Sequence, residues 1–302
     1  MGLVKNLGIG TAAVAAVGVG CVAYGSLVEI DWFRLTRETV PVLPAGAKPI
    51  RVLHLSDLHM LPEHAEKQAW LAGLAGLEPD LVVNTGDNLS HPLAGAYVTR
   101  SLGRLLDVPG VYVWGSNDYY APKPKNPFTY FRRNRGVPAP KATELPWRDL
   151  GAEFTRHGWE DLTHREVSMR IGDLDVRFRG TDDAHLGRDR YDEVAGPVDE
   201  SADLTIGVTH APYLRLLDGM TSDGHDLIMA GHTHGGQVCV PLYGALVTNC
   251  DIDPARVKGL SEHSHDGRTA ALHVSGGMGT SPYAPFRFAC RPEATLLTLV
   301  PR

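Results

Sequence analysis

The sequence predicts an α/β fold, a two-sheet α/β/β/α sandwich preceded by an N-terminal transmembrane helix. Three observations carry this. Residues 48–120 alternate strand-like and helical apolar runs, residues from Glu166 onward are rich in strand-like runs, and an uncharged stretch from Asn6 to Val28 precedes both. The 302-residue chain is 43% hydrophobic and 21% charged, enough apolar content for a sizeable core. Its net charge of −6 argues against a general nucleic-acid binder, which needs a basic surface. Four cysteines without a CxxC pair exclude a zinc ribbon or a dithiol redox motif, whereas 14 histidines invite inspection as ligands or proton carriers.

Taken in order, residues 1–30 come first. As a helix, Asn6 to Val28 would measure roughly 35 Å, against about 30 Å of bilayer core. A retained single-pass membrane anchor is therefore expected. The alternative is a cleaved signal peptide, favoured by Lys5 but lacking a clean A-x-A site. Lys5 and the amino terminus on one side are matched by Arg34 and Arg37 on the other, so charge leaves the orientation open. Residues 31–47 read as a linker with one or two strands, closed by a turn at Pro44-Ala45-Gly46. The main domain is expected over 48–302. Its first half reads as strand IRVLHLSD, helix EKQAWLAGLAGL, strand DLVVNTGD, helix AYVTRSLGRLLD and strand GVYVWGSND. The second half offers VSMRIG, LDVRFRG, LTIGVTH, DLIMAGHTH, AALHVSGG and ATLLTLV, with a helical piece around Pro212 to Leu217.

Several of these strands end in polar clusters of one kind. They are Ser56-Asp57-Leu58-His59, Gly86-Asp87-Asn88, Gly115-Ser116-Asn117-Asp118, His210, and Gly231-His232-Thr233-His234. Ligands in open α/β sheets gather beyond the carboxyl ends of strands, so the clusters can converge. In extended backbone, residues i and i+2 point to one side, which would pair Asp57 with His59 and His232 with His234. Aspartates, histidines and an amide without thiolate suit Mn, Fe or Zn. A polynuclear metal site is the expectation. His54, His64, His91, His157, His164, His225, His263, His265 and His273 read as core or surface residues.

The ordered set SDLH, TGDN, GSND, THAP and AGHTHGGQ resembles the calcineurin-like metallophosphoesterase superfamily over residues 48–300. GTDDAHLGRD (180–189) and the ending HVSGGMGTSPYAPFRFACRPEATLLTL further resemble its membrane-associated bacterial branch, typified by the YkuE-like phosphoesterases. The resemblance implies a metallophosphoesterase-like sandwich holding two divalent metal ions. Asp57, His59 and His234 would hold one, His210 and His232 the other, and Asp87 would bridge both. Such a pair generates a hydroxide that attacks phosphorus in line. The implied activity is metal-dependent hydrolysis of phosphoric monoesters or diesters, with a lipid-linked or cell-envelope substrate suggested by the anchor. A metal-binding but catalytically impaired scaffold on the same fold is the alternative.

The third motif departs from the pattern. The superfamily usually writes glycine, asparagine, histidine and an acid where this chain has Gly115-Ser116-Asn117-Asp118. Without a gap, Ser116 takes the ligand position; with a one-residue shift, Asn117 does, and its amide oxygen is the better donor. Asn117, Asp118 and His210 are the catalytic candidates, and Asn117 is also a metal-ligand candidate. Between Tyr119 and Thr143 the chain carries Lys123, Lys125, Arg132, Arg133, Arg135 and Lys141 and no acid. This basic segment (123–141) is expected as a lid that touches anionic headgroups or substrate phosphate, the plain alternative being a solvated loop.

Overall fold

The computed structural model describes residues 16–124 and 143–302. Apolar residues at strand period place one row of side chains on each face of a sheet. In β2 (Ile50–Leu55), Val52 faces one core while Leu53 and Leu55 face another. The same split recurs in β3 (Leu81–Asn84) and β4 (Gly110–Tyr112). Each of these three strands is thus covered on both sides.

The first sheet is six-stranded. Its order is β1 (Arg34–Leu43), β14 (Glu293–Pro301), β2, β3, β4 and β5 (Glu160–Asp161), with β2 to β5 parallel and β14 antiparallel to β2. The second sheet runs β12 (Gly259–His265), β13 (Arg268–Val274), β9 (Leu227–Ala230), β8 (Leu204–Val208), β7 (Leu174–Gly180) and β6 (Arg165–Ile171). A short hairpin, β10 (Cys239–Val240) with β11 (Gly244–Ala245), stands apart. Val52, Val83, Val111 and Leu297 from the first sheet meet Val176, Phe178, Ile206 and Met229 from the second in one buried layer. On the outer face of the first sheet, helices α1 (Ala65–Gly73), α2 (Ala94–Leu102) and α4 (Trp147–Arg156) bury Leu71, Val98, Leu102 and Phe154 beside Leu53, Tyr112 and Trp114. The single turn α3 (Ser116–Tyr119) lies between α2 and α4 in the chain. Helix α5 (Leu214–Asp223) covers the other sheet through Leu217 and Met220 against Ile228 and Leu272. The layers are α/β/β/α, as expected.

Three expectations can be compared with the structure. The segment 31–47 carries one strand, of the one or two expected: β1 pairs in parallel with β14 from Arg34 to Leu43 and edges the first sheet. Its alternation RLTRETVPVL buries only the Val40–Leu43 end, which is why it reads weakly as a strand. The expected transmembrane helix is unsupported: residues 16–27 are helical, and among the described residues no helix is long and apolar enough to cross a membrane. Residues 1–15 of that segment lie outside the described residues, as does most of the basic segment, residues 125–142.

Candidate metal centre

All five strand-end clusters gather where the two sheets present the carboxyl ends of their parallel strands. Asp57 and His59 leave β2, Asp87 leaves β3 and Asn117 follows β4, while His210 leaves β8 and His232 and His234 leave β9. The first sheet supplies mainly carboxylates and the second only imidazoles. Local backbone differs from the extended pairing read from sequence. Asp57, His59, Asp87, His232 and His234 all have left-handed φ, between 41° and 69°. Each therefore turns off its strand individually, and such non-glycine conformations persist where surrounding structure holds them. Gly231 answers a different need. A Cβ there would lie 1.9 Å from Ser56 Oγ and 2.8 Å from Asp57 Oδ2, so only glycine lets β9 approach β2 so closely.

Two sets of ligand atoms result, Asp57/His59/His234 and Asp57/Asp87/His210, each set lying within 4.8 Å. Asp87 reaches both halves: its Oδ2 is 3.4 Å from His59 Nε2 and its Oδ1 is 3.6 Å from His210 Nε2. The imidazoles carry the clearest signal. His234 Nδ1 faces the Gly279 carbonyl at 2.9 Å, His210 Nδ1 faces the Thr85 carbonyl at 2.6 Å, and His232 Nε2 faces the Asn249 carbonyl at 3.2 Å. In the tautomer whose N–H donates to the carbonyl, a neutral ring presents the lone pair of its other nitrogen to the centre. His59 Nδ1 lies 3.1 Å from Ser90 Oγ, a hydroxyl able to accept its N–H and leave Nε2 facing the centre. The lone-pair nitrogens then meet head-on: His59 Nε2 to His234 Nε2 at 3.2 Å, and His210 Nε2 to His232 Nδ1 at 3.3 Å. Each contact is bridged by at most one ring proton, whose place a bound cation can take, and two nitrogens each about 2.1 Å from one ion are separated by about that much. Asp57 adds the same signal, because Oδ2 is held by Ser56 Oγ and the His232 N–H while buried Oδ1 has no hydrogen-bond partner. The residues fit divalent metal ions.

Electrostatics agree. Burial, then His234, pushes His59 well below the ordinary histidine range, and burial, then His185, does the same to His232. Burial and then the Arg287 guanidinium hold His234 at about 3. These rings are neutral, as ligands must be. Burial opposes charge on His210 too, but Asp87, Asp183 and Asp57 raise it to about 9, so a bound cation would take that proton's place. Burial raises the Asp57 carboxyl against the pull of His210.

Of the ambiguous third motif, Asn117 is the residue that meets the cluster. Its Nδ2 lies 2.6 Å from Asp87 Oδ2 and its backbone N–H donates to Asp87 Oδ1 at 2.7 Å. Asp118 is fully buried and accepts from the backbone N–H groups of Asp87, Asn88 and Gly115. Burial and then Asp87 push it up to about 7. Both its oxygens are thereby committed to shaping the Asp87 loop, so it sits as a positioning residue.

Sequence reading missed Arg287, His185 and Asp183. Arg287, fully buried, donates through Nη2 to the carbonyls of Gly276, Gly277 and Gly279, and through Nη1 to that of Cys290. It fixes the loop that carries the Gly279 acceptor of His234. Both segments enter the sequence reading only through their resemblance to one branch of the superfamily; no local pattern marks Arg287 itself, whereas Asp183 and His185 stand in a polar cluster ending β7, the signal used elsewhere.

Residues 50–236 match the family described as Calcineurin-like phosphoesterase. The uncharacterized protein YpbG of Bacillus subtilis (strain 168) is 27% identical over 300 residues, covering 98% of this chain and 97% of its own. The uncharacterized metallophosphoesterase YkuE of the same organism is 24% identical over 296 residues, covering 95% and 93%. Phosphodiesterase YaeI of Escherichia coli (strain K12) is 25% identical over 296 residues, covering 96% of each. Among solved structures, TT1561 of Thermus thermophilus covers 76% of this chain and 91% of its own at 11% identity, with a TM-score of 0.41. The family match spans the strands and loops that bring the carboxylates and imidazoles together, and the chain belongs to the calcineurin-like phosphoesterase family.

Proposed function

We propose that this phosphoesterase hydrolyses phosphoric monoesters or diesters with two divalent cations, Mn, Fe or Zn. The observation that carries the reading is the pair of head-on imidazole contacts flanking Asp87. Asp57, His59 and His234 would hold one ion, His210, His232 and Asn117 the other, and Asp87 would be shared. Two such ions, when bound, neutralise phosphate oxygens and make a water acidic enough to attack phosphorus near neutral pH. The chain's own groups supply orientation: the carbonyls of Gly279, Thr85 and Asn249 lock the rings, and Asp118 holds the Asp87 loop. A membrane anchor from the uncharged Asn6–Val28 stretch, bringing the enzyme to lipid-linked substrate, is part of the proposal. The second reading, a metal-binding scaffold, is favoured by the missing imidazole at Ser116-Asn117. Full-length protein, stripped and reloaded with Mn, is expected to hydrolyse p-nitrophenyl phosphate or its bis ester. Two bound metals without turnover on a broad phosphoester panel would support the scaffold instead.

A further inference from the structure

The turn Gly115–Asp118 carries no imidazole, yet a ring that belongs to neither ligand set lies beside the centre. His185, half-buried in the loop after β7, has its ring centroid 4.4 Å from that of His232, the planes inclined by 43°. The loop is built to hold it. Asp183, fully buried, accepts from the His185 N–H at 2.9 Å and the Leu186 N–H at 3.1 Å. Asp182 accepts from the Tyr119 hydroxyl at 2.6 Å and from Arg188 Nε at 2.9 Å. The ring itself is oriented from a second element, because Nδ1 lies 3.1 Å from the hydroxyl of Tyr213, which follows His210 on the loop after β8.

We propose that His185 is a substrate-contacting residue that donates a ring N–H to a phosphoester oxygen on the His210/His232 side of the centre. The proposal rests on the phosphoesterase reading above. We take the Tyr213 O–H as the donor to Nδ1, which places the ring proton on Nε2, the edge opposite. A loop pinned by two buried carboxylates, a ring oriented by a neighbouring hydroxyl, and ring contact with His232 at the edge of the centre together describe a preorganised donor. A pillar that merely supports His232 has no need of the Tyr213 contact.

Inorganic phosphate, titrated calorimetrically into the full-length Mn-loaded protein, tests this. His185→Ala is expected to weaken phosphate binding about tenfold, as loss of a hydrogen bond to a charged group does, with Mn content by elemental analysis unchanged. His185→Gln, which keeps a side-chain N–H, recovers most of the affinity, and Tyr213→Phe loses a few-fold. Unchanged phosphate affinity in His185→Ala overturns the proposal, as does wild type that binds no phosphate. Loss of Mn from His185→Ala also overturns it, since the ring would then serve the metal. Turnover of p-nitrophenyl phosphate by wild type is measured alongside: its absence refutes the hydrolase assignment, whereas the phosphate comparison decides on His185.

Discussion

Gly231→Ala probes the approach of the two sheets at the centre. The new methyl would sit 1.9 Å from Ser56 Oγ, 2.8 Å from Asp57 Oδ2 and 2.9 Å from Thr85 Oγ1. Gly231 has no left-handed φ, so alanine meets a steric conflict and not a backbone one. The softest response is rotation of Ser56, which breaks its 2.6 Å hydrogen bond to Asp57. Overpacking costs about 1–3 kcal/mol, and losing a hydrogen bond to a carboxylate about 1.5–3 kcal/mol. A destabilisation of about 3 kcal/mol is expected, lowering Tm by roughly 5 °C. Calorimetry and Mn titration of wild type, Ser56→Ala, Gly231→Ala and the double variant form a thermodynamic cycle. Removing Ser56 Oγ makes room for the methyl, so the double variant should be less damaged than the sum of the singles by about 1 kcal/mol or more. Strict additivity, or an unaltered Tm and Mn affinity in Gly231→Ala, would refute the argument that close approach requires this glycine.

Arg287→Met should weaken Mn binding about 10- to 100-fold, the usual effect of removing a ligand's outer support, and Arg287→Lys should fail to restore it because one ammonium cannot stand both where Nη2 meets the glycine carbonyls and where Nη1 meets that of Cys290; titration of the metal reads both. Asn117→Ala should lower Mn content while Ser116→Ala leaves it intact, measured by elemental analysis, and the reverse would reject the amide as ligand. Burial, then Arg287, holds the Lys67 amine at about 7 against an ordinary 10.5, so between those values the unfolded chain binds the extra proton and stability rises with pH. The Tm difference between Lys67→Met and wild type should therefore be more positive at pH 6 than at pH 9. Chelation should lower Tm and be reversed by Mn, since the ions bind the folded state alone; a Tm indifferent to chelator would contradict the fitted site.

What could be read in the sequence follows from how each signal is written. Ligands at strand ends are legible because an apolar run must stop before a polar residue can turn out of the sheet, and Asp57, Asp87, His210 and His232 each follow such a stop. Strand β12, GLSEHSH, is illegible because it is an exposed edge with only His263 buried. Arg287 looks like any surface cation until the carbonyls of Gly276, Gly277 and Gly279 wrap it. The left-handed backbone of the ligands is likewise a property of the packed loops. Extended geometry was a sound premise for residues within strands and the wrong one for residues just past them.

The pairing of β1 with β14 has a consequence for how the chain is made. Arg34 must wait for Glu293, 259 positions later, before its strand has a neighbour. At about 5–20 residues per second, a ribosome needs roughly 13–50 s to deliver that partner. Throughout this interval β1 is an unsatisfied strand, the kind of segment that recruits foreign strands. Its charges at Arg34, Arg37 and Glu38 and its Pro41 are the residues that discourage such capture. Replacing them with apolar β-formers would burden the nascent chain more than the finished one, so the damage would show in soluble yield before it showed in melting temperature.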